Sequence, residues 1–202
     1  TVDDWVWVAG QLPAHKAIGP DGVPNMVLRI EGVPKLMQHW GALTYSGNPP
    51  KQWLQSETVP LYKKGDRLDL KNYRQITLAS QPGKAYNLIL LKRIQKILEP
   101  ELRANQNGFR PHRGTQGHIL SHSRIAELVR LRSWNKQVAL LYVDFSAAFD
   151  SVYWGSIENV LMLKGVAPEL IMAMMALYKG ATTVVRTPEG PTDPLPISAG
   201  VL

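Results

Sequence analysis

One stretch of the chain, Val138 to Asp150, constrains the possible fold most. Its first six residues, 138–143, are apolar or aromatic without a polar break, which is typical of a strand buried on both faces of a sheet. Asp144 follows at once, at the end of the strand, where open sheets gather their reactive side chains. We therefore predict a buried strand over residues 138–144 that presents Asp144. An acid in this position also forms turns or caps helices, so the stretch alone leaves both roles open.

The residues around Asp144 suit a hard metal ion. Mg²⁺ prefers one or two carboxylates together with substrate phosphates. The chain has no cysteine, so a metal would have to be held by oxygen or imidazole. The small residues 146–148 let a ligand approach the main chain, and Phe149 and Asp150 close the stretch. The sequence therefore makes Asp144 a candidate metal ligand.

Positive charge is concentrated in the middle of the chain. The 202 residues include 23 Lys or Arg and 16 Asp or Glu, and 16 of the basic but only 5 of the acidic residues fall between positions 61 and 136. That segment has a net charge of +11, and the remainder has a net charge of −4. A basic block beside a segment with isolated acids indicates a polyanion held next to a cation site. A basic ribosomal or RNA-chaperone protein would share the block and lack those acids.

The sequence predicts a basic β-hairpin within this block. Residues 55–62 and 73–78 have strand patterns, and Gly65-Asp66 between them favours a bend. The tip of the hairpin would project Lys63, Lys64, Arg67 and Lys71, and Arg74 would lie near its base. A solvated hairpin whose lysines protect a sheet edge is the alternative interpretation.

Helices and a second hairpin complete the expected secondary structure. Periodic apolar residues predict amphipathic helices over 83–98 and 115–132. The loop between them contains Arg110 and Arg113, which either bind phosphates or are exposed at the surface without a ligand. Another strand pair is expected within residues 182–198. We therefore expect an α/β chain of the α+β type, which combines helices with short antiparallel strands.

Nothing in the sequence points to a membrane or to export. No apolar run approaches the roughly 20 residues that cross a bilayer. The acidic N-terminal residues lack a signal-peptide pattern. We therefore expect a soluble intracellular protein with no membrane partner.

Four blocks lie in order along the chain, at residues 19–22, 59–78, 106–110 and 144–150. They are similar to sequence motifs written GPDG, KKGD…NYRPISL, QxGFR and DFSKAFD. In these blocks the chain resembles the reverse transcriptase domain of non-LTR (LINE-type) retrotransposons. Gly200-Val201 resembles the opening of the GVxQG motif. The chain departs from the family at Gln75, where proline is usual, and at Ala147, where lysine is frequent.

The resemblance implies the right-hand architecture of a polymerase. Residues 1–80 would form fingers from N-terminal helices and the basic hairpin. Residues 81–202 would form the fingers/palm junction and part of the palm, including the catalytic strand 138–144. The family's later Tyr/Phe-x-Asp-Asp motif is not found in the sequence, so the second half of the palm and the thumb are expected to be absent. Two of three metal-binding carboxylates would be missing with them, and the 202-residue chain alone is expected to be inactive.

The resemblance also implies roles for the residues of the catalytic segment. Asp144 would bridge two Mg²⁺ ions, or Mn²⁺, and the carbonyl of Phe145 would add a ligand. The backbone N–H groups of Ala147 and Ala148 would hold triphosphate oxygens. Phe149 would be a steric gate that leaves no room for a 2′-OH, although packing in the core is its alternative role.

Basic residues outside that segment would contact phosphate. Lys63, Lys64 and Arg74 would close over the incoming triphosphate, the arginine as a planar fork and the lysines as point charges. Arg110 and Arg113 would contact the nucleic acid.

The implied reaction transfers a nucleotide from a dNTP to the 3′-OH of a DNA primer on an RNA template during retrotransposition. The chain would belong to a longer polyprotein with an endonuclease domain, present in the nucleus and the cytoplasm. Two questions stay open on the sequence. Asp150 either orients a neighbouring basic group or caps the next helix. The chain is either part of an active RNA-directed DNA polymerase or a non-catalytic nucleic-acid-binding relic of one.

Overall fold

The computed structural model describes residues 1–131 and 139–201. Six helices lie in these residues: α1 (Val2–Gln11), α2 (Val33–Tyr45), α3 (Gln81–Leu98), α4 (Thr115–Leu131), α5 (Trp154–Leu163) and α6 (Pro168–Met175). The same residues form five strands: β1 (Gln55–Tyr62), β2 (Tyr73–Ala79), β3 (Thr182–Thr187), β4 (Gly190–Pro191) and β5 (Leu195–Pro196). The expected α+β class is confirmed. None of the described helices is both long enough and apolar enough to cross a membrane.

The strands form one small mixed sheet in the order β2-β1-β3-β4, with β5 also paired to β3. The predicted basic hairpin is confirmed, since β1 and β2 pair antiparallel with Ser56 opposite Ala79. The expectation of antiparallel strands alone is wrong, because β1 pairs parallel with β3, where Ser56 lies opposite Thr183. Parallel pairing needs a crossover connection. Here the connection contains helices α3 to α6.

Side chains reinforce the contact between β1 and β3. The buried hydroxyl of Thr58 lies 2.9 Å from that of Thr183 and 3.3 Å from that of Thr77 on β2. On the exposed face, the guanidinium of Arg186 donates to both carboxylate oxygens of Glu57 at 2.7 and 2.9 Å. These hydrogen bonds hold the pKa of Glu57 below its ordinary value. The sheet therefore joins the first third of the chain to its last part.

The core lies where α1, α2, α3 and α6 pack together. An aromatic cluster of Trp5, Trp53 and Tyr86 is at its centre, with ring centroids 5.6 to 6.3 Å apart. Gly41 on α2 lets the helix approach, because a Cβ at this position would lie 3.1 Å from the Trp5 ring. This packing fixes the end of α3 from which the hairpin projects.

The predicted strand over residues 138–144 is wrong for residues 139–144, which form neither strand nor helix. Leu141, Tyr142 and Val143 are 88%, 75% and 67% exposed. Val138 lies outside the described residues. An apolar run becomes a buried strand only where neighbouring strands pair with its edges and other layers cover its faces. In the described part of the chain, no strand pairs with residues 139–144, and these residues are exposed.

Helix α4 is also mostly exposed, including apolar side chains such as Ile119 and Leu120, which are 62% and 72% exposed. The chain presents 14635 Å² of accessible surface. A compact monomer of this mass would present roughly 9,500 Å². Helix α4 and residues 139–149 therefore leave apolar side chains exposed to solvent.

Gly19, in the first of the resembling blocks, packs against the end of β2, in the second. A Cβ at Gly19 would lie 2.4 Å from the carbonyl oxygen of Ala79. Beside it, the side-chain amide of Gln81 donates to the carbonyl of Ala17 at 2.7 Å. The loop around Gly19 is therefore tied to the junction between β2 and α3.

Replacing Gly19 with alanine should destabilise the chain. The new methyl group meets backbone and can be relieved only by moving the loop, so we expect unfolding to become easier by about 1–3 kcal/mol. Urea denaturation measures this change. Gly10→Ala is the matched control, because a Cβ there meets nothing within 4 Å and lies in a helix, where alanine is favoured. Equal effects of the two substitutions would contradict this account of Gly19.

Candidate active site

The structure brings together residues from two separated blocks, 106–110 and 144–150. The ring of Phe109 meets the ring of Phe149 edge to face, with centroids 5.8 Å apart and an interplanar angle of 79°. Both rings project into solvent, since Phe109 is 92% and Phe149 57% exposed. The alternative role of Phe149 as a core residue is therefore wrong.

The block that begins at Gly200 also reaches this segment. The N–H of Gly200 donates to the carbonyl of Val152 at 2.9 Å, and the N–H of Val201 donates to the carbonyl of Phe149 at 3.0 Å. The indole N–H of the half-buried Trp154 donates to the carbonyl of Gly200 at 2.8 Å. Two blocks distant in sequence, at 106–110 and 200–201, thus contact Phe149 in the block at 144–150.

The backbone of Asp150 lies against Gly200. A Cβ at Gly200 would lie 3.2 Å from the Cα of Asp150, and Gly200 has a φ of +94°, so both space and conformation favour glycine there. The N-cap of α5 is Tyr153, which makes no side-chain capping bond. The suggestion that Asp150 caps the next helix is therefore wrong. Its suggested role in orienting a basic group stays a prediction.

Asp144 and Phe145 lie on the surface beside a turn. The whole segment 141–150 is exposed, so the Asp144 carboxylate and the neighbouring main chain are open to solvent. The N–H of Ser151 donates to the carbonyl of Ala147 at 3.0 Å and closes the turn. Ala147 has a φ of +48°, and such turns can point successive N–H groups at an anion. Within residues 1–131 and 139–201, the amides of Ala147 and Ala148 donate to no protein acceptor.

The tip of the basic hairpin is held by its own hydrogen bonds. The N–H of Lys63 donates to the carbonyl of Asn72 at 2.8 Å, and the Asn72 side chain donates to the carbonyl of Asp66 at 2.8 Å. The hydroxyl of Tyr62 donates to the carbonyl of Gly65 at 2.6 Å. The tip is therefore ordered before any ligand binds.

The cations of this tip are not neutralised by carboxylates in the described part of the chain. The carboxylates of Asp66 and Asp69 instead accept bonds from backbone N–H groups within the turn. Lys63, Lys64 and Arg74 are exposed. Other basic residues do form ion pairs, namely Lys92 and Arg93 with Asp4, Arg110 with Glu99, Arg124 with Glu127, Lys164 with Glu101, and Arg186 with Glu57. The hairpin therefore carries a net positive charge, with five basic and two acidic residues between positions 63 and 74.

Arg110 lies in an environment that the sequence did not indicate. Its side chain is only 6% exposed and pairs with Glu99, whose carboxylate oxygen is 2.6 Å away. The same guanidinium donates to the carbonyls of Arg103 and Gln106. Arg113 is exposed and donates to the carbonyl of Ala104. Arg110 therefore holds the loop that presents Phe109.

In the described part of the chain, some of the predicted site residues lie in contact and others do not. Phe149 and Asp150 share contacts with Phe109 and Gly200, whereas no described hydrogen bond or ion pair joins the hairpin cations to Asp144. No group of three or more His, Asp or Glu within the described ranges is arranged to hold a metal ion. Sequence reasoning missed the contributions of Phe109 and Trp154. Phe109 lies in the block at 106–110 but was assigned no role there, and a tryptophan at the start of a helix is not distinctive.

One family model and three curated relatives match this chain. Residues 61–190 match the family model described as reverse transcriptase (RNA-dependent DNA polymerase). The chain is 28% identical over 154 residues to a Retrovirus-related Pol polyprotein from type-1 retrotransposable element R1 of Bradysia coprophila, an alignment that covers 69% of this chain and 14% of the relative. It is 27% identical over 175 residues to the corresponding polyprotein from element R2 of Nasonia vitripennis, covering 85% of this chain and 16% of the relative.

A third relative extends the comparison. The Pol polyprotein from element R2 of Popillia japonica is 28% identical over 175 residues, which are 86% of this chain and 24% of the relative. The chain thus spans less than a quarter of the length of these curated relatives. The family model covers well over half of the chain and includes the blocks at 106–110 and 144–150. The chain belongs to the reverse transcriptase (RNA-dependent DNA polymerase) family, among the reverse transcriptase domains of non-LTR retrotransposons.

Proposed function

We propose that the chain forms part of an RNA-directed DNA polymerase that transfers a nucleotide from a dNTP to a DNA primer 3′-OH on an RNA template. The observation that carries the proposal is the convergence of the blocks at 106–110 and 200–201 on Phe149, in the same exposed segment that contains Asp144. Residues 1–80 would act as fingers, and residues 81–202 as the fingers/palm junction and part of the palm. Because β1 pairs with β3, these two regions share one sheet.

Asp144 and the carbonyl of Phe145 are the proposed ligands of the divalent ions, Mg²⁺ or Mn²⁺. The fit is chemical: both groups offer oxygen donors on an exposed segment, and hard cations prefer oxygen ligands and retain water. Once bound, a pair of such ions would stabilise the attacking and leaving oxygens of the transfer. The role of the chain is to hold Asp144 at a defined place beside the turn that begins at Ser146.

The triphosphate would be bound by amides and cations. The amides of Ala147 and Ala148 have no protein acceptor in the described part of the chain, so they are free to donate to phosphate oxygens. Lys63 and Lys64 would supply positive charge from the preformed hairpin tip, and Arg74 would supply it from strand β2. Charge-assisted hydrogen bonds of this kind are stronger than neutral ones.

The nucleic acid would contact the rest of the basic surface. Arg113 is exposed and remains a proposed contact, whereas the Arg110 side chain, already paired with Glu99, would act by holding its loop. The relatives are described as Pol polyproteins. We therefore propose that this chain, too, works within a longer polyprotein that supplies an endonuclease and further polymerase elements, in the nucleus and cytoplasm.

The 202-residue chain should bind an RNA–DNA hybrid with an affinity that falls steeply as salt rises. Each phosphate contact adds about 0.9 to the slope of log K against log salt, so Lys63→Gln with Lys64→Gln should lower the slope by up to about 2. Fluorescence anisotropy over a salt series measures it. Lys164→Gln with Lys179→Gln removes the same charge elsewhere and should leave the slope nearly unchanged. A salt-independent affinity, or equal slopes for the two variants, would count against the hairpin as a phosphate-binding surface.

A further inference from the structure

We propose that Phe109 is a positioning residue that holds the ring of Phe149 in place and thereby sets discrimination between deoxyribonucleotides and ribonucleotides. The inference rests on the proposed function, because it assigns to Phe149 the role of the steric gate. It adds a residue from a different loop, which acts on the substrate only through Phe149. Phe109 is therefore a specificity residue and not a catalytic one.

The first observation is the geometry of the two rings. Phe149 is 57% exposed, so little of the protein surrounds its ring, and the edge-to-face contact with Phe109 is the aromatic contact it makes in the described residues. The main chain of Phe149 is held separately, by the hydrogen bond from Val201. Fixing the main chain leaves the side-chain torsions free to turn. Phe109 is placed to limit that rotation.

The second observation is backbone strain. In the described residues, three non-glycine residues have positive φ, and all lie in the two loops that meet here: Phe109 at +57°, His112 at +59° and Ala147 at +48°. A side chain in this region crowds the backbone, so a bulky residue adopts it rarely. Such strain persists where the surrounding structure imposes it, often at functional sites.

The anchoring of the neighbouring Arg110 accounts for the backbone strain at Phe109. Arg110 follows Phe109 directly, and its buried guanidinium is fixed by Glu99 and by two backbone carbonyls of the same loop. This anchoring sets the direction in which the preceding residue points. An exposed aromatic side chain gains little from burial, so the stability of the fold does not account for a strained Phe109. Holding the neighbouring ring does account for it.

The consequence for selectivity follows from the motion that Phe109 prevents. A gate excludes a 2′-OH only while its ring stays under the sugar. An edge-to-face pair is worth enough to change an equilibrium between two ring positions by about 2- to 10-fold. Removing Phe109 should therefore admit ribonucleotides more often without removing the gate itself.

The test is steady-state incorporation of matched rNTP and dNTP by the full-length polyprotein. For Phe109→Ala we expect the kcat/KM ratio of rNTP over dNTP to rise by about 2- to 10-fold, through a lower KM for rNTP, with kcat for dNTP nearly unchanged. Phe109→Tyr keeps the ring and should restore the original ratio. The double variant with Phe149→Val should show no more than Phe149→Val alone, because Phe109 acts only through that ring.

A second measurement does not depend on activity. The chain has three phenylalanines, so 4-fluorophenylalanine labelling should give three ¹⁹F resonances, assigned by single substitutions. Phe109→Ala should shift the Phe149 resonance and leave that of Phe145 in place. Phe109→Tyr should shift the Phe149 resonance far less.

The outcomes separate this inference from the function on which it rests. If Phe149→Val raises ribonucleotide use and Phe109→Ala does not, Phe149 is the gate and Phe109 does not position it. If neither substitution changes the ratio, Phe149 is not the gate and the inference falls with that assignment. An equal loss of activity towards both sugars after Phe109→Ala would show a purely structural role and would also overturn it.

Discussion

Replacing Asp144 with asparagine is expected to abolish nucleotide incorporation by the full-length polyprotein, with a loss of at least about 10³-fold in kcat. The change removes one negative charge and leaves the shape of the side chain almost unaltered. Because Asp144 is exposed and follows an irregular segment, the fold should not depend on it. Extension of a radiolabelled DNA primer on an RNA template, with Mg²⁺ and dNTPs, measures the effect.

The control for this experiment is Asp193→Asn, the same chemical change at an exposed position between β4 and β5. It should leave incorporation and hybrid binding as they are. Asp144→Asn should also leave hybrid binding intact, since binding depends on the basic surface. Incorporation that survives in Asp144→Asn would refute the proposed metal ligand. An unsubstituted polyprotein that binds the hybrid and never extends a primer would instead support a non-catalytic relic.

The parts of the fold that sequence reasoning predicted depend on local signals. The strand pattern and Gly65-Asp66 turn define the hairpin within about 20 residues, and β1 has the predicted bounds of 55–62. Helix α3 begins two residues earlier than predicted, because the Ser80 hydroxyl accepts the N–H of Gly83 and Pro82 fits the first turn. Such signals act between neighbours and need no knowledge of the whole chain.

The parts that were missed depend on partners distant in sequence. Thr182 is 126 residues from Ser56, whose hydroxyl donates to its carbonyl, and nothing in either strand's pattern identifies the other. The apolar run before Asp144 was wrongly predicted to form a buried strand for the same reason. Its apolar character indicates a preference for burial, but a pattern does not supply the strands and layers that would bury it.

Arg110 shows why charge alone did not identify a function. Counted in the basic block, it was a candidate phosphate contact, yet its side chain is enclosed by Glu99 and by carbonyls of its own loop. Composition treats this arginine and the exposed Lys63 alike. Only the positions of acceptors distinguish a cation that builds a loop from one that is available to a ligand.

Replacing Phe149 with valine should open the sugar site to ribonucleotides. Valine lacks the ring that would lie under the 2′ carbon, and loss of a steric contact of this size changes discrimination by about 10- to 100-fold. We therefore expect the kcat/KM ratio of rNTP over dNTP to rise by that amount in the full-length polyprotein. Tyr153→Val is the control, because it also replaces an aromatic side chain with valine, at a 74% exposed position four residues away, and should leave the ratio unaltered.

The stability of the same variant makes the result interpretable. Full burial of a phenylalanine side chain is worth about 1.5–3 kcal/mol, and Phe149 buries less than half of its surface, so the loss on substitution should be about 1 kcal/mol or less. A change of that size cannot unfold the protein, and any shift in sugar preference must then arise at the site. A Phe149→Val protein with an unchanged ratio would remove the gate assignment, whereas a marked drop in melting temperature would show that the ring supports the fold more than its exposure implies.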